Sequence, residues 1–192
     1  MSILFINGSP NKNGNTAALA AELLKDHEYE TLNLTDYTIG AYGQNLPGDG
    51  LDAVIGAMKQ ADTIVIGSPV YYASPAGGAI SFMDRLFFST PHIDKAMKVG
   101  ASVVSCRRGG NTATFDALNK YFTICGMPIA SSQYWNMVYG NTPEEVRQDK
   151  EGLQTMRTLG RNMAFLMKSI ALGKAQLGLP EKEPVQQTNF HH

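Results

Sequence analysis

Ile3-Leu4-Phe5-Ile6-Asn7-Gly8-Ser9-Pro10-Asn11-Lys12-Asn13-Gly14-Asn15-Thr16 is the stretch on which the fold class turns. Ile3 to Ile6 is an unbroken β-rich apolar run, Asn7-Gly8-Ser9-Pro10 is a turn cluster, and the alanine- and leucine-rich segment from Thr16 to Lys25 follows. That order reads as strand, loop, helix. A strand that is apolar throughout, rather than alternating, is buried on both faces, as in a parallel sheet covered by helices on each side.

The same unit recurs outward from this segment. Tyr29 to Leu34 reads as a second strand, Leu51 to Gln60 as a second helix, and Thr63 to Ile66 as a third strand stopping at Gly67-Ser68-Pro69. Ala76 to Phe88 predicts a third helix, Lys98 to Ser105 a fourth strand and Thr112 to Cys125 a fourth helix. Ile129-Ala130 with Gln133 to Tyr139 supplies a fifth strand, giving a doubly wound α/β chain. Leu153, Met156, Leu159, Met163, Leu166, Met167 and Ile170 then recur at helical spacing, so a long helix is expected from Thr142 to Leu172. Its methionine-rich stripe suits packing on the sheet, with a subunit interface as the other reading.

The expected organisation is one domain over residues 1–172 and an extended arm over 173–192 that carries Pro180 and Pro184. His191-His192 closes the arm and is assigned no function. With 192 residues, 43% hydrophobic, the chain can bury one sizeable core. Sixteen Lys and Arg against 17 Asp and Glu leave a net charge of −1, which excludes a strongly basic nucleic-acid binder. Two cysteines, Cys106 and Cys125, cannot supply the four thiolates of an iron–sulfur cluster or structural zinc site. The start of the chain shows no basic leader, and Ile3 to Ile6 is too short for a signal core or a membrane span. A reduced cytoplasmic protein, with no membrane or nucleic-acid partner and no metal site, is the expectation.

The loop from Gly8 to Thr16 lies where an open α/β sheet binds anions, because free N–H groups and the positive helix end converge there. Ser9, Asn11, Asn15 and Thr16 offer small polar side chains and Lys12 the one nearby cation, which suits a phosphate monoester. No Gly-Lys-Ser/Thr follows the glycine and no Gly-x-Gly-x-x-Gly is present, so triphosphate and dinucleotide readings weaken. An ordinary helix cap by Asn15 or Asn13 is the alternative.

Gly67-Ser68-Pro69-Val70-Tyr71-Tyr72-Ala73-Ser74-Pro75-Ala76 follows the third strand. Two tyrosines and two prolines make a stiff wall against which a flat ring can lie, or else a tyrosine pair that closes the core. Together the two segments resemble the flavodoxin-like NAD(P)H-dependent FMN reductases, in particular the branch that contains the iron–sulfur flavoproteins. Gly8-Ser9-Pro10 with Gly14-Asn15-Thr16 matches the phosphate loop of that branch, and Ser68 to Tyr72, leading into Met83-Asp84-Arg85, matches its flavin loop. The resemblance covers roughly residues 1 to 140.

The resemblance implies a flavodoxin-like five-stranded parallel sheet of order 2-1-3-4-5. It also implies FMN as cofactor and NAD(P)H as electron donor. Ser9, Asn11, Asn15 and Thr16 would hold the phosphate, with Lys12 compensating for the Arg that the family commonly has where Asn11 stands. Pro69, Val70, Tyr71 and Tyr72 would contact the isoalloxazine. Cys106-Arg107-Arg108-Gly109-Gly110-Asn111 would bring an arginine, Arg107 or Arg108, to its pyrimidine edge and let the backbone of Gly109 and Gly110 approach the ring. Surface solubility, or an ion pair with Asp84 or Asp116, is the other reading of both arginines. Cys106 reads as a small buried residue rather than a redox thiol.

Iron–sulfur members of the branch carry a cysteine cluster after the second strand. Thr38 to Asn45, the corresponding stretch, contains no cysteine, so the segment is expected to shape a substrate pocket or a subunit contact instead. The function implied is electron transfer from NAD(P)H through FMN to a quinone, nitro compound, free flavin or metal ion, in a homodimer or homotetramer. Tyr134, Trp135 and the loop around Tyr42 are candidates for a lid supplied by the partner. A flavodoxin-type electron carrier, a flavin-binding sensor acting through the tail and a flavin-free phosphate-ligand protein are the rival readings.

Overall fold

The computed structural model describes residues 1–44, 46–186 and 188. His191-His192 and Asn45 lie outside the described residues. The strands are β1 (Ile3–Asn7), β2 (Tyr29–Asn33), β3 (Thr63–Tyr71), β4 (Ser74–Pro75), β5 (Val99–Cys106) and β6 (Met137–Tyr139). The helices are α1 (Asn15–Leu24), α2 (Leu51–Gln60), α3 (Gly77–Ser89), α4 (Asn111–Ile124), α5 (Pro143–Val146) and α6 (Lys150–Leu177).

The parallel sheet runs β2-β1-β3-β5-β6, with β4 paired to β3 alone. Setting that two-residue strand aside, the path is the flavodoxin-like order expected from the sequence. Consecutive residues of β1 point to opposite faces and are buried on both. Ile3 and Phe5 join Leu19, Leu23, Met156, Leu159 and Met163, which line α1 and α6. Leu4 and Ile6 join Val54, Met58, Met83, Leu86 and Leu118 beneath α2, α3 and α4. Each of these buried Leu, Ile or Met side chains contributes about 1.5–3 kcal/mol, so the two layers hold the sheet between them. The methionine stripe of α6 therefore packs on the sheet.

Three elements depart from the sequence reading. The third strand does not stop at Ile66. Gly67, Ser68 and Pro69 pair with Val103, Val104 and Ser105, and the strand then folds back so that Val70 and Tyr71 face Pro75 and Ser74. Pairing to β5 overrides the turn-forming character of Gly-Ser-Pro, a case of tertiary context deciding a strand. The fifth strand shrinks to Met137–Tyr139, joined upstream by a single bridge between Gly100 and Ile129. The intervening residues bulge from the edge, fastened by Asn136, whose amide donates to the carbonyl of Ser102 at 3.2 Å.

The long helix expected from Thr142 to Leu172 is two helices. Thr142 caps α5 by accepting from the N–H of Glu145, and Asp149 caps α6 by accepting from the N–H of Gly152. Two N-caps seven residues apart mark two starts, which the apolar stripe alone does not reveal. α6 continues through Gly173 to Leu177, so the non-helical tail begins at Gly178. No helix of the described residues is long and apolar enough to cross a membrane.

Candidate functional site

All parallel strands point their C-terminal ends to one edge, where the loops after β1, β3 and β5 meet. The first of these, from Gly8 to Gly14, is shaped by its own asparagines. The Ser9 N–H donates to Asn7 Oδ1 at 3.2 Å, the Asn11 N–H to Ser9 Oγ at 3.1 Å and the Asn13 N–H to Asn11 Oδ1 at 3.1 Å. These are the local side-chain bonds by which Asn and Ser hold turns. Gly8 fits because it lies against β3 and α3: its N–H donates to Gly67 O at 2.8 Å, and a Cβ there would meet Ala79 Cβ at 2.8 Å.

Neither Asn13 nor Asn15 caps α1. The N-cap is Gly14, with no side-chain hydrogen bond and no acid in the first turn. Asn15 instead donates through Nδ2 to the carbonyl of Gly140 at 2.8 Å, tying the helix start to the turn after β6. Thr16 is only 1% exposed. Its hydroxyl lies 3.2 Å from Ser105 Oγ, and its methyl covers Gly67, where a Cβ would sit 2.6 Å away. Asn11, Asn15 and Thr16 thus hold the loop in shape, while the first-turn N–H groups of α1 carry no side-chain partner and present the positive helix end. A phosphate dianion fits such a terminus.

Lys12 pairs with Asp36, at the end of a short 3-10 turn, Leu34–Asp36. The hydrogen bond from the Lys12 ammonium holds the Asp36 carboxyl below the usual carboxylate range, against a smaller opposing effect of burial. Both side chains are about half exposed, so the pair screens the lysine without burying it.

The second loop is a hairpin. Tyr71 faces Ser74 across a two-residue turn at Tyr72 and Ala73, both left-handed with φ of 51° and 59°. Two positive φ values in succession are the geometry of a type I′ turn, which ordinarily takes Asn-Gly. Tyr72 is fully exposed and Tyr71 half exposed, so the tyrosines do not close the core. Ser68, inside β3, anchors the hairpin by accepting from the N–H of Ala76 at 3.0 Å.

The third loop, after β5, reaches that hairpin. Gly110 has a φ of 90°, and a Cβ on it would lie 2.5 Å from Ala73 Cα and 2.9 Å from Val70 Cγ1. Arg107, Arg108 and Gly109 are exposed, and among the described residues neither arginine forms an ion pair. Asp84, one of the acids considered for them, instead accepts from the Tyr121 hydroxyl, which burial and that carboxylate push far above the usual phenol range. Cys106 is buried, and burial raises its thiol pKa, as expected for an inert small residue.

The structure thus brings Pro69, Val70 and Gly110 into one surface. It buries Thr16 against Gly67 and Ser105, ties Asn15 to Gly140, and leaves Arg107 and Gly109 exposed in the loop that leads to Gly110. Residues that carried no sequence signal support it. Ser105 receives Thr16, and Asn111, buried at the start of α4, donates to Tyr139 Oη at 2.7 Å. Arg85 stands behind the loop that follows β2. Its Nη1 donates to the carbonyls of Ala41, at 3.2 Å, and Gln44, and its Nη2 lies 3.2 Å from Asp49 Oδ2. Arg85 was visible within Met83-Asp84-Arg85, whereas Asp49, 34 positions before Met83, was not.

The tilted pair Tyr134–Trp135, with ring centroids 4.9 Å apart, projects from the edge bulge, since neighbouring Asn136 is bonded at the level of Val104. Tyr42 packs against Phe88 with the rings tilted and their centroids 4.5 Å apart.

Two relatives match most of this chain. An iron–sulfur flavoprotein of Methanocaldococcus jannaschii is 30% identical over 195 residues, covering 88% of this chain and 99% of that protein. An iron–sulfur flavoprotein of Methanosarcina thermophila is 25% identical, covering 88% and 97%. Among solved structures, RosB with bound 8-demethyl-8-formylriboflavin-5′-phosphate superposes with a TM-score of 0.71 at 12% identity, covering 100% of this chain and 92% of RosB. The apo form of an NADH:FMN oxidoreductase has a TM-score of 0.64 at 22% identity, covering 88% and 89%. At these identities the structural likenesses establish the fold. Residues 1–142, which hold all three loops, match the NADPH-dependent FMN reductase family, and with a 30% identical relative matched over 88% of the chain, this protein belongs to that family of flavoproteins.

Proposed function

We propose that the protein is an FMN-dependent NAD(P)H oxidoreductase that passes electrons to a small-molecule acceptor, as a cytoplasmic homodimer or homotetramer. The observation that carries this reading is the uncapped start of α1 standing beside the Val70–Gly110 surface, joined to it through Thr16 and Ser105. A phosphate at the helix end and a flat ring along the hairpin are the two halves of FMN. Bound FMN supplies hydride acceptance from the nicotinamide and electron delivery to the acceptor.

The protein's part is to bind and orient. Backbone N–H groups at Asn15 and Thr16 hold the phosphate, with Ser9 and Asn11 keeping the loop open and Lys12 adding long-range attraction. Pro69, Val70, Tyr71 and Tyr72 lie along the ring. Arg107, with the bare backbone of Gly109 and Gly110, faces the pyrimidine edge, where a cation stabilises the negative charge of the reduced state. Both tyrosines of the hairpin stand in solvent, so the outer face of the ring is open to a nicotinamide or to a partner's Tyr134–Trp135 pair.

Titration of the dialysed protein with FMN, followed by anaerobic NADH or NADPH, tests the reading. Saturable quenching of flavin fluorescence and then bleaching of the flavin band is the expected result. Binding without bleaching leaves an electron carrier, and the absence of FMN binding removes the proposal.

A further inference from the structure

Phe87 and Phe88 at the end of α3, with Tyr121 and Ile124 at the end of α4, wall a cavity of about 670 Å³. The segment that joins α3 to β5 lines another side, and Cys125, directly after α4, lines it too. The aromatic wall is held from behind: the Phe87 and Tyr121 rings lie 5.4 Å apart, and the Tyr121 hydroxyl is spent on Asp84. The tail passes the cavity at Lys182 and Val185, yet Val185 is 87% exposed and so does not fill it. Among the described residues, none from the three loops at the carboxyl edge lines this space, which is therefore separate from the surface at Val70 and Gly110.

The same cavity is lined by a buried cation, Lys95, only 5% exposed. Its ammonium donates to the carbonyls of Thr90 and, at 3.3 Å, of Ile93, and lies 5.8 Å from the centre of the Phe87 ring. Two carbonyls use two of its three N–H groups and leave its charge unneutralised. Among the described residues no carboxylate pairs with it. Asp94, its neighbour in the chain, instead gives Oδ1 to Lys182 at 2.6 Å and to the N–H of Ala96 at 3.0 Å. Burial pulls the Lys95 pKa below the ordinary lysine value, and Cys125 and Asp94 oppose that effect. Lys95 and Lys182 thus stand against Asp94 alone in the lining, and His92 adds only positive charge.

We propose that this cavity binds an aromatic monocarboxylic acid, its rings among Phe87, Phe88 and Tyr121 and its carboxylate paired with Lys95. A volume of this size is in the range of small-molecule pockets. Aromatic walls reward an aromatic body. A buried charge is ordinarily matched by an opposite one, and the partner missing from the protein is a single anion. An uncharged guest would bury Lys95 further without neutralising it, and a cation would repel it.

Calorimetric titration of the full-length protein with naphthalene-2-carboxylate, and with naphthalene-2-carboxamide as its uncharged match, tests the site. Saturable one-to-one binding of the acid is expected, about tenfold or more tighter than the amide at low salt. Cys125 reports the location: at an acid concentration about ten times its Kd, alkylation of this thiol should slow about tenfold, read by peptide mass mapping. Lys95→Met should bring the acid down to the affinity of the amide. Should that variant fail to fold, Ile124→Glu decides, since Ile124 is 85% exposed and a carboxylate there repels the acid more than the amide. Equal binding of acid and amide, an unprotected Cys125, absence of saturable binding, or competition between the acid and FMN overturns the proposal.

Discussion

Gly110 and Ala73 meet backbone to backbone: a Cβ on the glycine would stand 2.5 Å from Ala73 Cα. Through this contact the loop after β5 rests on the hairpin after β3, and the two become one surface. Gly110→Ala should therefore cost stability twice, through its left-handed φ of 90° and through displacement of the hairpin. A loss of about 2–4 kcal/mol in denaturant unfolding is expected, with at least tenfold weaker FMN binding by fluorescence titration. Unchanged FMN affinity would mean that the loops do not share the ring.

Ala73 and Tyr72 occupy left-handed positions that favour glycine and asparagine. Ala73→Gly should relieve about 1 kcal/mol of local strain and raise Tm by roughly 2–4 °C, since the chain already folds back at this point. A thermal melt of the apo protein measures it. A lower Tm would show that the glycine's extra freedom in the unfolded chain outweighs the relief.

Arg85→Met should leave Asp49 charged and almost fully buried without its partner, a loss of about 3 kcal/mol. Amide exchange in residues 38–44 should accelerate more than in β1 or α1. Arg85→Met/Asp49→Asn should recover part of the stability, because the uncompensated charge is gone. Exchange that rises uniformly would remove the pair from the account.

Asp36 neutralises the one lysine of the phosphate loop. Asp36→Asn should strengthen FMN binding by roughly two- to fivefold at low salt while leaving riboflavin binding unchanged, since only FMN carries the phosphate. The pH dependence has a definite sign. Because Lys12 holds the Asp36 carboxyl below its ordinary value, the pair is complete above the ordinary carboxylate pKa near 4 and is lost as pH falls through the lowered one. The advantage of the variant should thus persist across neutral pH and vanish in acid. An equal gain for riboflavin would contradict the phosphate assignment.

Much of the architecture was legible in the chain. Ile3 to Ile6 and Thr63 to Ile66 are continuous runs rather than alternating ones, which points to a parallel sheet between two helical layers, and the alternation of strand-like and helix-like segments placed the first four helices to within a residue at each end. The third strand and the long C-terminal helix were misread at their ends. Gly67 to Pro69 is turn-like by composition but pairs with β5, and the α5–α6 break depends on caps at Thr142 and Asp149 rather than on the apolar stripe.

For the site, the sequence by itself determined which loops matter, because turn residues directly after buried strands must emerge at the carboxyl edge of the sheet. It also determined residue type there: small polar groups near a helix start, aromatics and prolines after β3, glycines after β5. Only the tertiary structure decided what those side chains do. Asn15 reaches Gly140 across 125 positions, Thr16 turns down onto Ser105, and Asp49 finds Arg85 behind the loop after β2. Local sequence encodes backbone conformation through sterics and local hydrogen bonds, but a side chain's partner is set by which distant strand or helix the sheet brings beside it.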